Sequence, residues 1–557
     1  MNAKTVKTNF SALMTLCMVF FFWGFIAAGN SIFIPFCKHF FHLNQFQSQL
    51  VDFAFYLAYF VGAVILYYIT YRIAQDPIKK WGYRMSVVYG LLLSAVGAAM
   101  MIVFLYFETF LGMLIGLFVV GLGFSIQQTA ANPFMIALGD EKTGSNRVSL
   151  GGGINSVGGT LGPLLVAIAL FGSTSFNEAD IPNLHLSKVM LLYIFVGLLF
   201  LSVAALFYFS KNLPHDEMDG QREDASELKK GLYLLLSMTA VILVLEAIVF
   251  YLDTLTTMDV FQREKIQLML LGSIIATVFV FLLTALFGSK NTPKGWGAMA
   301  YPQLTLGMLA IFVYVGVEVA TGSNLSELIH APEVTGMSTA ETAKYVSLYW
   351  GSLMMGRWAS AVYAFNLTKR WSNILTIAMP FLGFGFVYFF NTLNGGSYLD
   401  LPIYIFFISL LVIGFFVGRN KPALTLLIFG ILSICCLFIG IQPSADWNEL
   451  ATTLNLKSGA VITIYSIVAT GLFCSIMWPC IFSLSLAGLG KYTSQGAAFL
   501  VMMILGGAVI PPLQGKIADV TGSIQHSYFV GICCFALLCC YAIIVKRILK
   551  SKGIDLE

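Results

Sequence analysis

Glu318 stands in the middle of an apolar run, Tyr314-Val-Gly-Val-Glu318-Val-Ala-Thr-Gly322-Ser323-Asn324. An ionised side chain at the centre of a bilayer costs about 2.5–3.5 kcal/mol on insertion scales, so an acid there needs a reason. Held away from water, its carboxyl can take up and release a proton near neutral pH, which is the chemistry of a reversible proton carrier. The alternative is a carboxyl that hydrogen-bonds a neighbouring helix. Asp52 lies about one turn into another apolar run, where interfacial water can solvate it, and is the second candidate carrier. Glu246, in a third run, reads as structural. Arg357, in Met355-Gly356-Arg357-Trp358, falls toward one end of its run, where a long side chain can snorkel. A gating or structural ion pair is expected of it rather than substrate contact.

Neutral polar residues interrupt the apolar pattern in clusters: Asn30 and Ser31, then Gln127, Gln128, Thr129 and Asn132, then Asn155 and Ser156, then Ser323 and Asn324. Amides and hydroxyls bind sugar hydroxyls without a charge to desolvate, and the rings of Trp23, Tyr56, Tyr59, Tyr349 and Trp478 can stack on a pyranose. The same residues also serve as glue between helices. The six histidines fall at run edges or in loops, and no HExxH, GxSxG or Walker pattern is present. No catalytic residues, cofactor or metal are therefore expected, and the chain does not read as an enzyme. The ten cysteines lie in or beside apolar runs without CxxC spacing and read as packing residues.

The elements that must position these groups are long helices. The chain has 557 residues, 58% hydrophobic and 10% charged, whereas soluble domains run near 45–50% apolar and about 25% charged. A soluble fold is excluded, and blocks of about 20 apolar residues without two-residue alternation exclude a β-barrel. The formal charge of +4 is scattered between the blocks, so no nucleic-acid partner is expected. Sixteen spans are expected near 10–36, 48–71, 85–106, 109–138, 148–172, 188–210, 231–253, 267–287, 303–330, 344–366, 374–392, 401–418, 423–442, 459–489, 495–515 and 526–547. The first is too long for a cleaved signal segment. With both termini cytosolic, 23 of the 31 Lys and Arg lie in cytosolic segments and 7 outside, as the positive-inside rule requires.

An internal repeat is visible. Asn132-Pro133 is followed by a glycine-rich run with Gly158, and Trp478-Pro479 by one with Gly506, at spacings of 25 and 27 residues from each proline. Two six-helix bundles explain it. Residues 1–210 form the first; 211–302 form a cytosolic linker carrying an inserted helix pair; 303–557 form the second, with a further pair expected near 374–418.

Trp23-Gly24 through Asn30-Ser31-Ile-Phe-Ile-Pro35, Phe46-Gln47, Gln128-Thr-Ala-Ala-Asn-Pro133-Phe134, Asn155-Ser156, Tyr314-Val-Gly-Val-Glu318-Val and Pro479-Cys-Ile-Phe-Ser483 with Gly506-Gly507 resemble the L-fucose and glucose/galactose symporters of the major facilitator superfamily. The resemblance covers about 1–210, 303–366 and 423–545, and implies twelve core helices around a site opened alternately to each side. Two positions depart from the fucose/proton branch: Ser31 and Gln128 stand where that branch carries acids. Glu318 matches the Gly-x-Glu form of the glucose/galactose branch.

The expectation is an all-α polytopic membrane protein of major facilitator fold, two six-helix bundles plus about four extra helices, in the cytoplasmic (inner) membrane. It is expected to import a monosaccharide by alternating access, with proton or sodium as coupling ion, facilitated diffusion without an ion being left open. Glu318 and Asp52 would couple, and Arg357 would gate. Ser31, Gln128, Asn132, Asn155, Asn324, Tyr349 and Trp478 would bind substrate. An exporter of another small molecule and a membrane sensor without flux are the alternatives.

Overall fold

Inside hydrocarbon every backbone N–H and C=O must be satisfied within the chain, and this sequence meets that demand with helices. The computed structural model describes residues 8–41, 45–140, 143–171, 186–210, 213, 225–254, 258–337, 339–365, 367–393, 401–419 and 421–554. Within these helices the side chains of 28–36, 38, 39, 45–50, 52, 163, 164, 167, 171, 250, 253, 254, 339, 340, 393, 401 and 402 are not described, so those of Ser31 and Asp52 lie outside the described residues.

The described residues form α-helices and short 3-10 turns, with no strand among them. The first six helices are α1 (Phe10–Phe40), α2 (Gln45–Ile73), α3 (Pro77–Tyr106), α4 (Phe110–Ala137), α5 (Gly144–Phe171) and α6 (Leu186–Phe209). Next come α7 (Lys229–Thr254), α8 (Val260–Asn291), α9 (Pro302–Ser323), α10 (Leu325–His330), α11 (Thr339–Ala361), α12 (Lys369–Leu393), α13 (Leu401–Val417) and α14 (Pro422–Ile441). The chain continues with α15 (Asn448–Thr453), α16 (Gly459–Cys474), α17 (Met477–Leu486), α18 (Thr493–Met502), α19 (Gly506–Thr521), α20 (Ile524–Ser527) and α21 (Phe529–Ser551).

Thirteen stretches among the described residues are long and apolar enough to cross a membrane, several built from two helices in series. The other three expected spans are helical as well, as α5, α11 and α13. Starts follow local chemistry: Pro77, Pro302 and Pro422 open α3, α9 and α14, where a missing N–H costs nothing. The Asp76 and Asp259 side chains cap α3 and α8 by accepting from the backbone N–H of Ile78 and Gln262.

Besides the short breaks near the ends of the 303–330 and 526–547 runs, two expected spans are broken well inside their length. The 459–489 run parts at Ser475 and Ile476, between α16 and α17. Pro479 is the cause: it has no N–H for the carbonyl four residues back, and its ring crowds that carbonyl, which belongs to Ser475. The 495–515 run is interrupted by a 3-10 turn at Met503–Leu505, between α18 and α19.

The helices gather into two compact units. The first comprises Met1–Leu232, Lys294–Ala298 and Leu489–Leu505; the second comprises Tyr233–Pro293, Met299–Gly488 and Gly506–Glu557. Within the first, α1 packs on α5, α3 on α4 and α6, and α2 on α4, with α18 against α2 and α4. Within the second, α9 packs on α19, α14 on α16 and α21, and α11 on α16 and α12, while α8 lies against α19 and α9.

Glycine makes one crossing possible in each unit. A methyl on Gly158 of α5 would lie 2.1 Å from the carbonyl oxygen of Phe21 in α1. A methyl on Gly506 of α19 would lie 1.9 Å from that of Phe312 in α9. These are the two glycines that the repeat singled out.

Candidate functional site

In the second unit α9 and α11 bring Glu318 and Arg357 together. Arg357 Nη2 donates to Glu318 Oε1 at 3.2 Å, and each side chain is 12% exposed. Tyr314, one turn earlier on α9, donates its hydroxyl to the same oxygen at 2.8 Å. The guanidinium is fixed from its other side, where Nε donates to the Ser475 carbonyl at 3.0 Å. That carbonyl is the one Pro479 leaves without a helical donor, so the break between α16 and α17 supplies the acceptor that orients Arg357. An ion pair between neighbouring helices, with further hydrogen bonds to each partner, is a form in which charge is tolerated inside a protein.

Tyr349 is fully buried, with its hydroxyl donating to the backbone carbonyl of Glu318 at 2.7 Å. Its ring edges are packed against Gly322 of α9 and Gly471 of α16, where a methyl would approach the ring to 2.7 and 2.8 Å. It anchors the acid-bearing turn, and its faces are taken up by packing. Trp478 is half-buried, its ring 6.4 Å from Tyr314 and stacked on Phe482. Asn324, at the end of α9, donates to the Ala320 carbonyl at 2.9 Å.

The first unit holds the amides. Gln127 is fully buried: Oε1 accepts from Trp23 Nε1 at 2.9 Å, and Nε2 donates to Ser94 Oγ at 3.1 Å. It ties α1, α3 and α4 together. Gln128, half-buried, donates to the Tyr59 hydroxyl at 3.1 Å. Asn132 donates to the Gln128 carbonyl at 3.0 Å, and its buried Oδ1 has no hydrogen-bond partner among the described residues. Asn155 donates to the Phe20 carbonyl at 3.0 Å from the half-buried part of α5. Gln128, Asn132 and Asn155 thus sit on α4 and α5; Gln128 and Asn155 are half-buried, whereas Asn132 is almost fully buried.

Sequence reasoning missed three groups that position these helices. Arg147, fully buried at the start of α5, donates to the carbonyls of Met135, Ile136 and Asp140 and so closes the end of α4 below Gln128 and Asn132. Its only sequence signal is a lone arginine at the head of an apolar run. Asp76, besides capping α3, accepts from Ser494 Oγ. Gln495 accepts from the backbone N–H of Ala298 at 2.8 Å. The last two contacts join residues more than 190 apart in sequence, so no local pattern announces them. Burial pushes the Asp76 carboxyl above its ordinary value, opposed by the Ser494 hydroxyl, the Lys79 charge and two backbone N–H groups.

Among the described residues no group of three or more His, Cys, Asp or Glu converges to hold a metal ion. No family model matches the chain. It is 27% identical to a glucose/galactose transporter of Brucella abortus over 536 residues, covering 96% of this chain and 94% of that protein. It is 24% identical to the L-fucose-proton symporter of Escherichia coli over 528 residues, covering 95% and 91%. Its fold matches the crystal structure of FucP, a major facilitator superfamily transporter in the outward conformation, with a TM-score of 0.61 at 20% identity over 96% of this chain and 98% of that one. The chain is therefore a polytopic membrane protein of major facilitator fold, similar along nearly its whole length to proteins named as sugar transporters.

Proposed function

We propose that the chain is a secondary transporter that imports a monosaccharide, a hexose, fucose or close derivative, by alternating access, driven by a proton gradient. The observation that carries this is the Glu318–Arg357 pair, held by Tyr314 and the Ser475 carbonyl inside spanning helices. Glu318 is the coupling acid and Asp52 the second. Arg357 gates by holding and releasing the acid. Ser31, Gln128, Asn132, Asn155 and Asn324 bind sugar hydroxyls, Trp478 stacks, and Tyr349 contributes by fixing the Glu318 backbone. Relatives named for glucose, galactose and L-fucose, one of them a proton symporter, support the substrate class and the ion.

The protein sits in the cytoplasmic membrane with both termini cytosolic. Residues 1–210 and 303–557 are the two bundles, 211–302 carries one added helix pair, and α12 with α13 is the other. The pairings of α1–α6 recur among α9, α11, α14, α16, α19 and α21, which supports that assignment.

Counterflow of labelled hexoses, fucose and amino sugars into proteoliposomes tests the reading, because exchange reports a carrier whatever the ion. Exchange of a sugar is expected, with accumulation driven by an inward proton gradient and not by sodium. Glu318→Gln should abolish gradient-driven accumulation and keep exchange; accumulation that survives the substitution removes Glu318 from coupling. Silence across the panel from folded protein would favour another cargo, exported or imported, or a sensor that binds sugar without flux.

A further inference from the structure

The two carboxyl oxygens of Glu318 are not equivalent. Oε1 receives both donors of the site, Tyr314 Oη and Arg357 Nη2, while Oε2 has no hydrogen-bond partner among the described residues. The Glu318 side chain keeps 12% of its surface exposed, so it is not fully enclosed by packing. The charged and titratable groups that interact with Glu318 are Tyr314 on its own helix, Arg357 and Tyr349 on α11, and Cys474 at the end of α16. The Tyr349 hydroxyl is committed to a backbone carbonyl. Of the other helices packed on α9, α8 and α19 bring Glu264 and Asp519, each paired with Lys516, with Arg263 and Lys265 flanking Glu264, and α10 brings Glu327 and His330. The charges of α21 fall in its last turns, from Lys546 on.

We propose that Oε2 of Glu318 both carries the proton and hydrogen-bonds a hydroxyl of the transported monosaccharide, with Tyr314 as the positioning residue that holds Oε1 and leaves Oε2 free. This deepens the reading given above and rests on it. The proton adds at Oε2, forming an O–H bond without displacing either donor from Oε1, and departs from the same atom on the other side of the membrane. The hydrogen bonds from Tyr314 and Arg357 to Oε1 can persist while the acid loads, but protonation removes the negative charge of the pair and so weakens the hold of Arg357 on it, which is the release the gate requires. Protonated, Oε2 donates to a sugar oxygen; ionised, it only accepts. A sugar that covers Oε2 removes a charge from water when the acid is ionised, and a neutral group when it is protonated, and the first costs more. Proton and sugar therefore favour each other's binding at one atom.

Glu318→Gln isolates that atom. Arg357 and Tyr314 both donate, so they hold the carboxamide oxygen at the Oε1 position and leave the NH₂ where Oε2 stood. The variant is a fixed copy of the protonated acid. Counterflow of whichever monosaccharide the wild type exchanges is measured against pH for the wild type, Glu318→Gln and Tyr314→Phe. The wild-type KM should fall about tenfold from alkaline to acid pH, equivalent to a coupling of about 1.4 kcal/mol. Glu318→Gln should show the acid-side KM at every pH. Tyr314→Phe removes a donor to the ionised form and should move the midpoint of the KM profile up by about one pH unit.

A deoxy analogue lacking the contacted hydroxyl should lose the pH dependence of KM in the wild type. A wild-type KM indifferent to pH, or a Glu318→Gln profile like that of the wild type, overturns the proposal while leaving sugar exchange intact. An unmoved midpoint in Tyr314→Phe removes that residue from the role. Absence of any sugar exchange by the folded wild type overturns instead the reading on which the proposal rests.

Discussion

Arg357 and Glu318 are individually costly inside a membrane and tolerable only together. Removing one partner of a buried pair leaves an uncompensated charge and costs about 3–5 kcal/mol, whereas replacing both with apolar or neutral groups of similar size is often neutral. Arg357→Met should therefore lower the unfolding temperature of the detergent-solubilised protein markedly, and Glu318→Gln added to it should restore most of the loss. If the double variant is no more stable than the single one, the pair is not the main partner of either charge. Both residues stand out in the sequence as charges within apolar runs. That they meet is not legible there, because 39 residues separate them and the turn of each helix about its axis decides the encounter. The third participant, the Ser475 carbonyl, has no side-chain signal at all; its only trace is a proline four residues downstream.

At the scale of elements, close helix crossings depend on glycine. Gly158→Ala and Gly506→Ala should each reduce the yield of folded protein severely, because the added methyl meets a backbone carbonyl that cannot step aside. Gly272→Ala, with nothing within 4 Å of the new carbon, should be tolerated and gain up to about 1 kcal/mol of helix propensity. Comparable yields from all three would refute the crossing argument.

Asp76 gives a pH test at a helix start outside the spanning segments. With its carboxyl pushed above its ordinary value of 3.8, the folded chain keeps a proton that the unfolded chain has released. The stability this brings is present at acid pH and lost as pH rises from the ordinary value through the raised one. Asp76→Asn retains a cap and should flatten that decline in unfolding temperature, while Asp76→Ala should cost about 1 kcal/mol through the lost cap. A wild-type profile as flat as that of the asparagine variant would remove the burial argument.

For the whole molecule, orientation follows from the distribution of basic residues rather than from any single contact. Cysteines introduced at exposed positions report it. Asn291→Cys, at the end of α8, should react with an impermeant thiol reagent only from the cytosolic side, and Glu449→Cys, in α15, only from outside. The reverse pattern would invert the topology. The two compact units also divide a single run: α18 belongs to the first and α19 to the second, with the chain passing between them at the Met503–Leu505 turn. Hydropathy reads that run as one span, since the turn is as apolar as the helices around it.

Composition and span length by themselves determined that the chain is an all-helical membrane protein, because hydrocarbon admits few ways to satisfy a backbone and this sequence has the periodicity of one. The repeat of Pro133 with Gly158 and Pro479 with Gly506 was legible for the same reason: close helix approach needs glycine wherever it recurs. Tertiary structure alone decided which amides are spent on packing and which stay half-buried. Gln127 and Gln128 are adjacent and chemically identical, yet about 100° of helix turn sends the first into a sealed contact with Trp23 and Ser94 and the second to Tyr59 at a half-exposed face. It also decided that both donors to Glu318 among the described residues meet the same carboxyl oxygen, because that depends on the direction of two donors and not on the identity of any residue.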